Sequence, residues 1–295
     1  MTVGKLNKGC AVALGNFDGM HIGHVAVLEQ TAQLKSQGLT ATVMLFDEHS
    51  LKGVRGEAPP MLMTGEERLS FLKEKGLEAT LVSFSEIKDL SPEAFVDTIL
   101  LGRLNAKAVV CGFNYRFGKN ATGDARMLRE ICNSKGIQCI VVDEVETDGN
   151  PVNSTSIRKA IEKGDISTAN KLLGRSFGFS ATVIDGDKRG REWGIPTINQ
   201  KLPKGLVIPR FGVYKSTVTV DGKEYDGVTN IGLRPTVGTD TVRSETHILG
   251  FDGDLYEKDI DVRLISFIRP EKKFDSFDEL ILQIKKDISF MKGGA

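Results

Sequence analysis

The chain has few cysteines, no net charge, no long apolar run and no internal repeat, and each absence closes off a class of protein. Its four cysteines, Cys10, Cys111, Cys132 and Cys139, form no C-x-x-C pair, so the ligand spacing of a structural zinc site is missing. Cys10 and Cys111 sit inside apolar runs, where a thiol acts as a small buried hydrophobe. No stretch approaches the ~20 apolar residues of a bilayer span, and the N-terminus lacks the apolar centre of a secretion signal. The expected setting is cytoplasmic and reducing, with no membrane partner. In that setting the Asn-x-Thr sequences at Asn120 and Asn153 are not glycosylation sites. Lysine plus arginine number 39 and aspartate plus glutamate 39; this balance gives no electrostatic reason to bind nucleic acid. A local basic pocket stays open, and so does a monomer or a weak homo-oligomer.

What is present suits two globular domains. At 295 residues the chain reaches the size, about 250–300, at which one core gives way to two. Residues 10–15, 40–46, 79–84, 106–112 and 137–142 are short runs rich in Val and Ile, nearly continuous in apolar character, as strands buried on both faces are. Helical patterns fall between them, at 23–37, from Ser91-Pro92-Glu93 onward and at 123–135. Ser91 is placed to cap its helix and Pro92 to be its first residue. The alternation predicts an α/β domain, a Rossmann-like parallel sheet with helices on both faces. Two more helices are expected over 154–163 and 165–173, ending at Gly174. Strand signals then recur at 179–184, 212–220, 224–231, 245–251 and 259–268, with a turn at Asp221-Gly222 and an amphipathic helix over 276–291. That predicts a small antiparallel β-barrel with a closing helix. The expected division is 1–175 and 176–295.

The most distinctive stretch is residues 10–28. An apolar strand runs into the glycine-bounded loop Gly15-Asn16-Phe17-Asp18-Gly19, and His21-Ile22-Gly23-His24 then opens a helix. The first N–H groups of a helix have no internal partner, and the helix dipole is positive there, so this order builds an anion site. His21 and His24 add donors suited to phosphate oxygens, and Gly23 lets a ligand approach the backbone. Ligands of parallel sheets bind beyond the carboxyl ends of the strands, which makes Gly15, Phe17, Asp18 and Gly23 candidate nucleotide-site residues beside the two histidines. The four residues fit the H-x-G-H pattern of nucleotidylyltransferases, whose histidines stabilise phosphate charge while a nucleophile attacks the α-phosphorus of ATP. They also spell the HIGH signature of class I aminoacyl-tRNA synthetases, but the chain is short for one and carries no KMSKS.

Downstream, Asn153-Ser154-Thr155-Ser156-Ile157-Arg158 resembles the S-S/T-x-I-R element of nucleotidylyltransferases. A helix start with two hydroxyls and an arginine makes Ser154, Thr155 and Arg158 a second phosphate clamp; alone, Ser154 and Thr155 would be helix caps. The stretch from Gly112 to Lys119 invites a P-loop reading, yet five residues separate its glycines, and Asn120 stands where Ser or Thr holds magnesium. Asn114 remains as a polar anchor among aromatics fit to line a flavin or adenine pocket.

In the second half, Gly186-Asp187-Lys188-Arg189-Gly190-Arg191 mixes glycines with basic residues, so Gly186, Gly190 and Arg191 form a candidate anion cradle. In Gly194-Ile195-Pro196-Thr197-Ile198-Asn199, the oxygens of Thr197 and Asn199 face one side of an extended segment. That geometry suits Mg2+, which takes oxygen ligands. Glu245, in Ser244-Glu245-Thr246-His247, begins a strand and is a candidate base, although for a lone glutamate the residues alone favour a solvated edge position.

These elements together resemble the prokaryotic bifunctional riboflavin kinase/FAD synthetase family over nearly the whole chain. They are GNFDGMHIGH (15–24), GFNYRFGKNATG (112–123), VNSTSIR (152–158), LLGR (172–175), GDKRGREWGIPTIN (186–199), GVYKSTV (212–218), NIGLRPTVG (230–238), ETHIL (245–249), DLYE (254–257) and FIRPEKKFDSFDEL (267–280). The resemblance implies an N-terminal FMN adenylyltransferase domain and a C-terminal flavokinase barrel, which use ATP and Mg2+ to turn riboflavin into FMN and FMN into FAD. By position it assigns His21 and His24 to the ATP phosphates and Asn114 to substrate near the reacting phosphates. Ser154, Thr155 and Arg158 would close over the triphosphate. In the kinase half it assigns Thr197 and Asn199 to magnesium–ATP and Glu245 to the role of base.

The chain departs from the family pattern in places. Phe46-Asp47-Glu48-His49-Ser50 stands where F-x-P-H-P is usual, Asn153 replaces a serine, and Ser156 replaces an arginine, with one positive charge fewer near the phosphates. Asp185 stands where a histidine is frequent, and Glu257 replaces the glycine of D-L-Y-G. Were that glycine to need positive φ, Glu257 would carry a strain of about 1 kcal/mol. Two other readings stay open at this point: an adenylyltransferase with a degenerate kinase barrel, and a non-enzymatic flavin-binding protein.

Overall fold

The computed structural model describes residues 8–46, 57–186, 195–234, 241–272, 279, 282–284 and 286–289. Its first part runs β1 (Cys10–Leu14), α1 (Ile22–Gln33), β2 (Thr40–Phe46), α2 (Gly65–Glu74), β3 (Glu78–Val82), α3 (Phe84–Ile87), α4 (Pro92–Phe95), β4 (Ala106–Gly112), the short ribbon β5 (Arg116–Phe117) and β6 (Gly123–Asp124), α5 (Ala125–Ser134), β7 (Gln138–Val142), and a second ribbon, β8 (Glu146–Thr147) and β9 (Asn150–Pro151). Ser91 Oγ caps α4 by accepting the Ala94 N–H at 3.1 Å, and the helix widens into a π-helical stretch over Val96–Arg103.

The five apolar runs form one parallel sheet in the order β3-β2-β1-β4-β7. β1 lies at its centre and all five of its residues are buried, which explains why its sequence does not alternate. Val12, Leu14, Val109 and Cys111 pack with Phe95, Leu100, Leu128 and Cys132 of the covering helices. Each fully buried Leu or Phe contributes about 2 kcal/mol of hydrophobic stabilisation. Chain order reverses at β1, with β2 on one flank and β4 on the other. That reversal opens a crevice above the carboxyl ends of β1 and β4, where a doubly wound sheet binds its ligand. Helices α2 and α3 carry no apolar pattern that predicts them. Leu72 and Ile87 are the residues they bury, too thin a stripe to register as amphipathic.

The second part runs α6 (Ser154–Lys163), α7 (Ile166–Leu173), β10 (Phe177–Ile184), β11 (Ile198–Lys201), β12 (Gly212–Val220), β13 (Lys223–Arg234), β14 (Thr241–Ile248) and β15 (Asp259–Arg269). The strands close into an antiparallel barrel in the order β10-β11-β14-β13-β12-β15. Asp221 and Gly222 both take positive φ, 49° and 78°, the requirement of a two-residue hairpin. β14 begins at Thr241, ahead of the apolar signal, because Thr241-Val242-Arg243-Ser244 contains a single apolar residue. Part of the barrel interior is polar. Ser216, Thr229 and Thr246 form a buried hydroxyl chain at 2.8 and 2.9 Å, and Gln200 Nε2 donates to Ala181 O and Ile260 O at 2.6 and 2.8 Å. Of the expected closing helix, Glu279, residues 282–284 and residues 286–289 are described, and all are helical. Ile288 packs on Val213 and Val228, while Arg269 Nη2 grips the buried Asp287 carboxylate at 2.8 Å.

The chain falls into two units, Met1–Pro59 with Gly65–Ser154 and Pro60–Thr64 with Thr155–Ala295. Hydrogen bonds show why α6 and α7 group with the barrel. Asn170 Nδ2 donates to Leu264 O at 2.9 Å, Asn170 Oδ1 accepts the Phe177 N–H at 2.7 Å, and Arg210 N donates to Ile161 O at 3.3 Å. The short segment 60–64 belongs there too, through Met61 N to Gly205 O at 2.7 Å and Val207 N to Met61 O at 2.8 Å.

Glu257 has φ of 62°, in a turn where its N–H donates to Val183 O at 3.0 Å. An L-residue there pays about 1–2 kcal/mol, partly offset because glycine loses more freedom on folding. Glu257→Gly is therefore expected to stabilise the barrel by about 0.5–1 kcal/mol. Calorimetry or a urea titration reads it, and a lower midpoint in the variant would remove the strain assignment.

Candidate active sites

The loop after β1 is held in a strained, buried form. Phe17, Gly19 and Met20 all take positive φ, at 50°, 77° and 42°. The Phe17 ring is fully buried; it lies under Gly15, whose Cβ position is 3.2 Å from it, and 5.2 Å from the His24 ring. Asp18 is buried as well. Its carbonyl accepts the Ser154 hydroxyl at 3.1 Å, and the Arg68 guanidinium of α2 lies in its field. Burial pulls Arg68 below the usual arginine range, and the Asp18 carboxylate works against that. Arg68 escaped the sequence reading because α2 did; Thr64-Gly65-Glu66-Glu67 has the S/T-x-x-E spacing of a capping box and is the signal that marks the helix.

His21 is the N-cap of α1. Its Nδ1 accepts the His24 N–H at 3.2 Å, which places the proton of the neutral ring on Nε2. The two imidazoles stack with centroids 3.6 Å apart and planes 16° from parallel. Gly23 is what allows the stack: a Cβ there would sit 3.3 Å from two atoms of the His21 ring.

These groups open on a cavity of about 890 Å³ at the carboxyl ends of β1 and β4, within the usual size of a small-molecule site. Gly15, Phe17, His21, Gly23, His24, Asn114 and Ser154 line it, so the structure brings together seven of the residues singled out from sequence. Phe46, Phe84, Phe95, Phe113, Tyr115 and Phe117 also line it, with Phe46 and Phe84 edge to face at 5.3 Å and Tyr115 and Phe117 stacked at 5.8 Å. One cavity thus offers imidazole and hydroxyl donors together with flat apolar surface, the means to hold phosphates and an aromatic ring system. Thr155 and Arg158 do not line it. They fall in the second unit, where Arg158 Nε donates to Pro60 O at 2.7 Å. His49 lies outside the described residues.

On the barrel, Asn199 of β11, Glu245 of β14 and Asn230 of β13 are register partners in one row. Asn199 is buried, and its Oδ1 has no hydrogen-bond partner among the described residues. Gly186 covers its amide so closely that a Cβ at 186 would collide with Asn199 Nδ2. Thr197 lies two residues upstream, and His247 Nδ1 ties that segment to β14 by donating to Pro196 O at 2.8 Å. A buried amide oxygen without a donor, two residues along the chain from a partly buried threonine, fits a hard cation. No group of three or more His, Cys, Asp or Glu that could hold a metal occurs among the described residues; a cation here would be held by such neutral oxygens. Gly190 and Arg191 lie outside the described residues.

A histidine-capped helix at the switch point of a parallel sheet is the arrangement of nucleotidylyltransferases, and the barrel carries a polar row of its own, in which Glu245 is the strand-register partner of Asn199, whose amide oxygen has no hydrogen-bond partner among the described residues. The class is a two-site transferase acting on phosphate groups. Comparisons narrow it. The FAD synthetase family model matches residues 4–156 and the riboflavin kinase family model residues 173–293. The bifunctional riboflavin kinase/FMN adenylyltransferase of Listeria monocytogenes is 36% identical over 96% of this chain and 90% of its own, and that of Escherichia coli 35% identical over 95% and 91%. The chain belongs to the bifunctional riboflavin kinase/FMN adenylyltransferase family. A crystal structure described as a macrolide-efflux protein from Streptococcus pneumoniae has the same fold, with a TM-score of 0.89 and 30% identity over 98% of this chain and 96% of that one. No helix among the described residues is long and apolar enough to cross a membrane.

Proposed function

We propose that the barrel phosphorylates riboflavin to FMN with ATP, and that the sheet domain then joins FMN to AMP from a second ATP, giving FAD and pyrophosphate. The observation that carries this is the cavity above β1 and β4, where stacked His21 and His24 face an aromatic wall in one enclosure. FMN brings its own anionic phosphate as nucleophile, so this site needs charge neutralisation rather than a base. Imidazole N–H groups supply it, with Ser154, Thr155 and Arg158 closing over the triphosphate and Asn114 holding substrate near the reacting phosphates.

Riboflavin's 5′-hydroxyl is a poor nucleophile at neutral pH, so the kinase needs a base, and Glu245 takes that proton. Thr197 and Asn199 would hold Mg2+, which supplies charge neutralisation to the phosphates when bound. Gly186, Gly190 and Arg191 form the cradle for the ATP anion. The functional boundary is placed at 175/176, so that Thr155 and Arg158 serve the adenylyl site although they pack with the barrel. The protein is placed in the cytoplasm, as a monomer or weak homo-oligomer without nucleic acid or membrane partners.

Purified chain incubated with riboflavin, ATP and Mg2+ is expected to accumulate FAD by way of FMN, followed by chromatography of the flavins. FAD from added FMN, with no FMN from riboflavin, would mark the barrel as degenerate. No flavin product from either substrate would overturn both halves of the reading.

A further inference from the structure

The candidate base of the barrel stands in an ion pair. Arg234 Nη1 lies 3.5 Å from Glu245 Oε1. Residues 230, 232 and 234 of β13 share a sheet face with residues 245, 243 and 241 of β14, pair by pair. Arg234 therefore stands four residues along the strand from Asn230, the direct partner of Glu245. At about 3.3 Å per residue that is ~13 Å, so both side chains extend along the face to meet. The position between them is Gly232, which adds no side chain of its own. Glu271 already rests its carboxylate on that glycine, since a Cβ at 232 would collide with Glu271 Oε1.

The side chains of Arg234 and Glu245 are 30% and 41% exposed, and a pair this open adds little to stability. Its effect is on direction. A glutamate has three rotatable bonds, and a general base must sit within hydrogen-bond reach of the proton it removes. Arg243 and His247 share the strand and face of Glu245, and Lys201 pairs with Arg243 from β11. Arg234 is nevertheless the cation in contact with it among the described residues.

We propose that Arg234 is a positioning residue for riboflavin phosphorylation: it holds the Glu245 carboxylate by Oε1 and leaves Oε2 to take the proton of the flavin hydroxyl. This rests on Glu245 being the base. The test is a double-mutant cycle in the full chain, with Arg234→Gln, Glu245→Gln and both together, assayed for FMN formation and for FMN adenylylation. Arg234→Gln is expected to lower kcat for FMN formation about 10- to 100-fold, with the KM for riboflavin and for ATP held. Added to Glu245→Gln it lowers kcat no further, because the two act as one unit. Unchanged adenylylation reports that the variants are folded, and Arg234→Lys or free guanidinium with Arg234→Ala restores part of the loss.

A raised KM for ATP, or a full second loss in the Glu245→Gln background, would mean that Arg234 meets substrate directly, and the proposal would fall. Normal kcat in Arg234→Gln beside an inactive Glu245→Gln overturns the proposal and spares the base. Normal kcat in Glu245→Gln overturns both.

Discussion

Glu245→Gln is expected to abolish FMN formation while FMN adenylylation continues at its normal rate. Glutamine keeps the shape of the side chain and loses the one property the proposed role uses, a carboxylate that accepts a proton. General-base catalysis contributes about 10²–10⁴-fold, and the loss should fall in kcat, because the carboxylate acts on the transferring proton rather than on bound ATP. The structure makes the change a mild one for the fold. Glu245 is partly exposed and pairs with the partly exposed Arg234, so breaking the contact costs at most about 1 kcal/mol. Asn199 and Asn230 flank it as strand partners and keep their backbone register. The second activity is an internal control, since the cavity assigned to it is lined by residues between Leu14 and Ser154 alone. FMN produced at the normal rate by this variant would remove Glu245 from the chemistry.

The parallel sheet was legible because its central strands are buried on both faces, which forces runs such as Cys10 to Leu14 to be apolar throughout. The barrel was legible in outline and not in register. β11 is four residues long and buries two polar residues, Asn199 and Gln200, on opposite faces, so no apolar alternation marks it. Register also decides which polar groups meet. That Asn199, Glu245 and Asn230 share one row, and that Arg234 reaches Glu245 over Gly232, follows from strand pairing that residue order does not contain. The adenylyl site reads more fully, because His21, Gly23 and His24 sit within one helical turn and local spacing sets their geometry. Arg68 shows the opposite case: it lies in the field of Asp18 and comes from a helix whose buried face is a single leucine. Glu257 lies between, as its replaced glycine pointed to the positive φ the turn has.

His24→Ala should give the reciprocal result, losing FAD formation from FMN while FMN formation from riboflavin continues. His24 is a cleaner probe than His21. The contact that caps α1 runs from the His24 backbone N–H to His21 Nδ1, so alanine at 24 keeps it, whereas alanine at 21 removes a cap worth about 1 kcal/mol. What alanine at 24 removes is the proposed donor to the phosphates and the ring that stacks 3.6 Å from His21. Loss of one donor aimed at developing phosphate charge costs about 10²–10³-fold in kcat. His24→Asn, which keeps an N–H on a shorter arm, should recover part of it; full activity in His24→Ala would show that the helix start and His21 carry the charge alone. Loss of both activities together would point to a folding defect instead, and the midpoint of thermal unfolding would separate that outcome from a chemical one, since an intact cap leaves it in place.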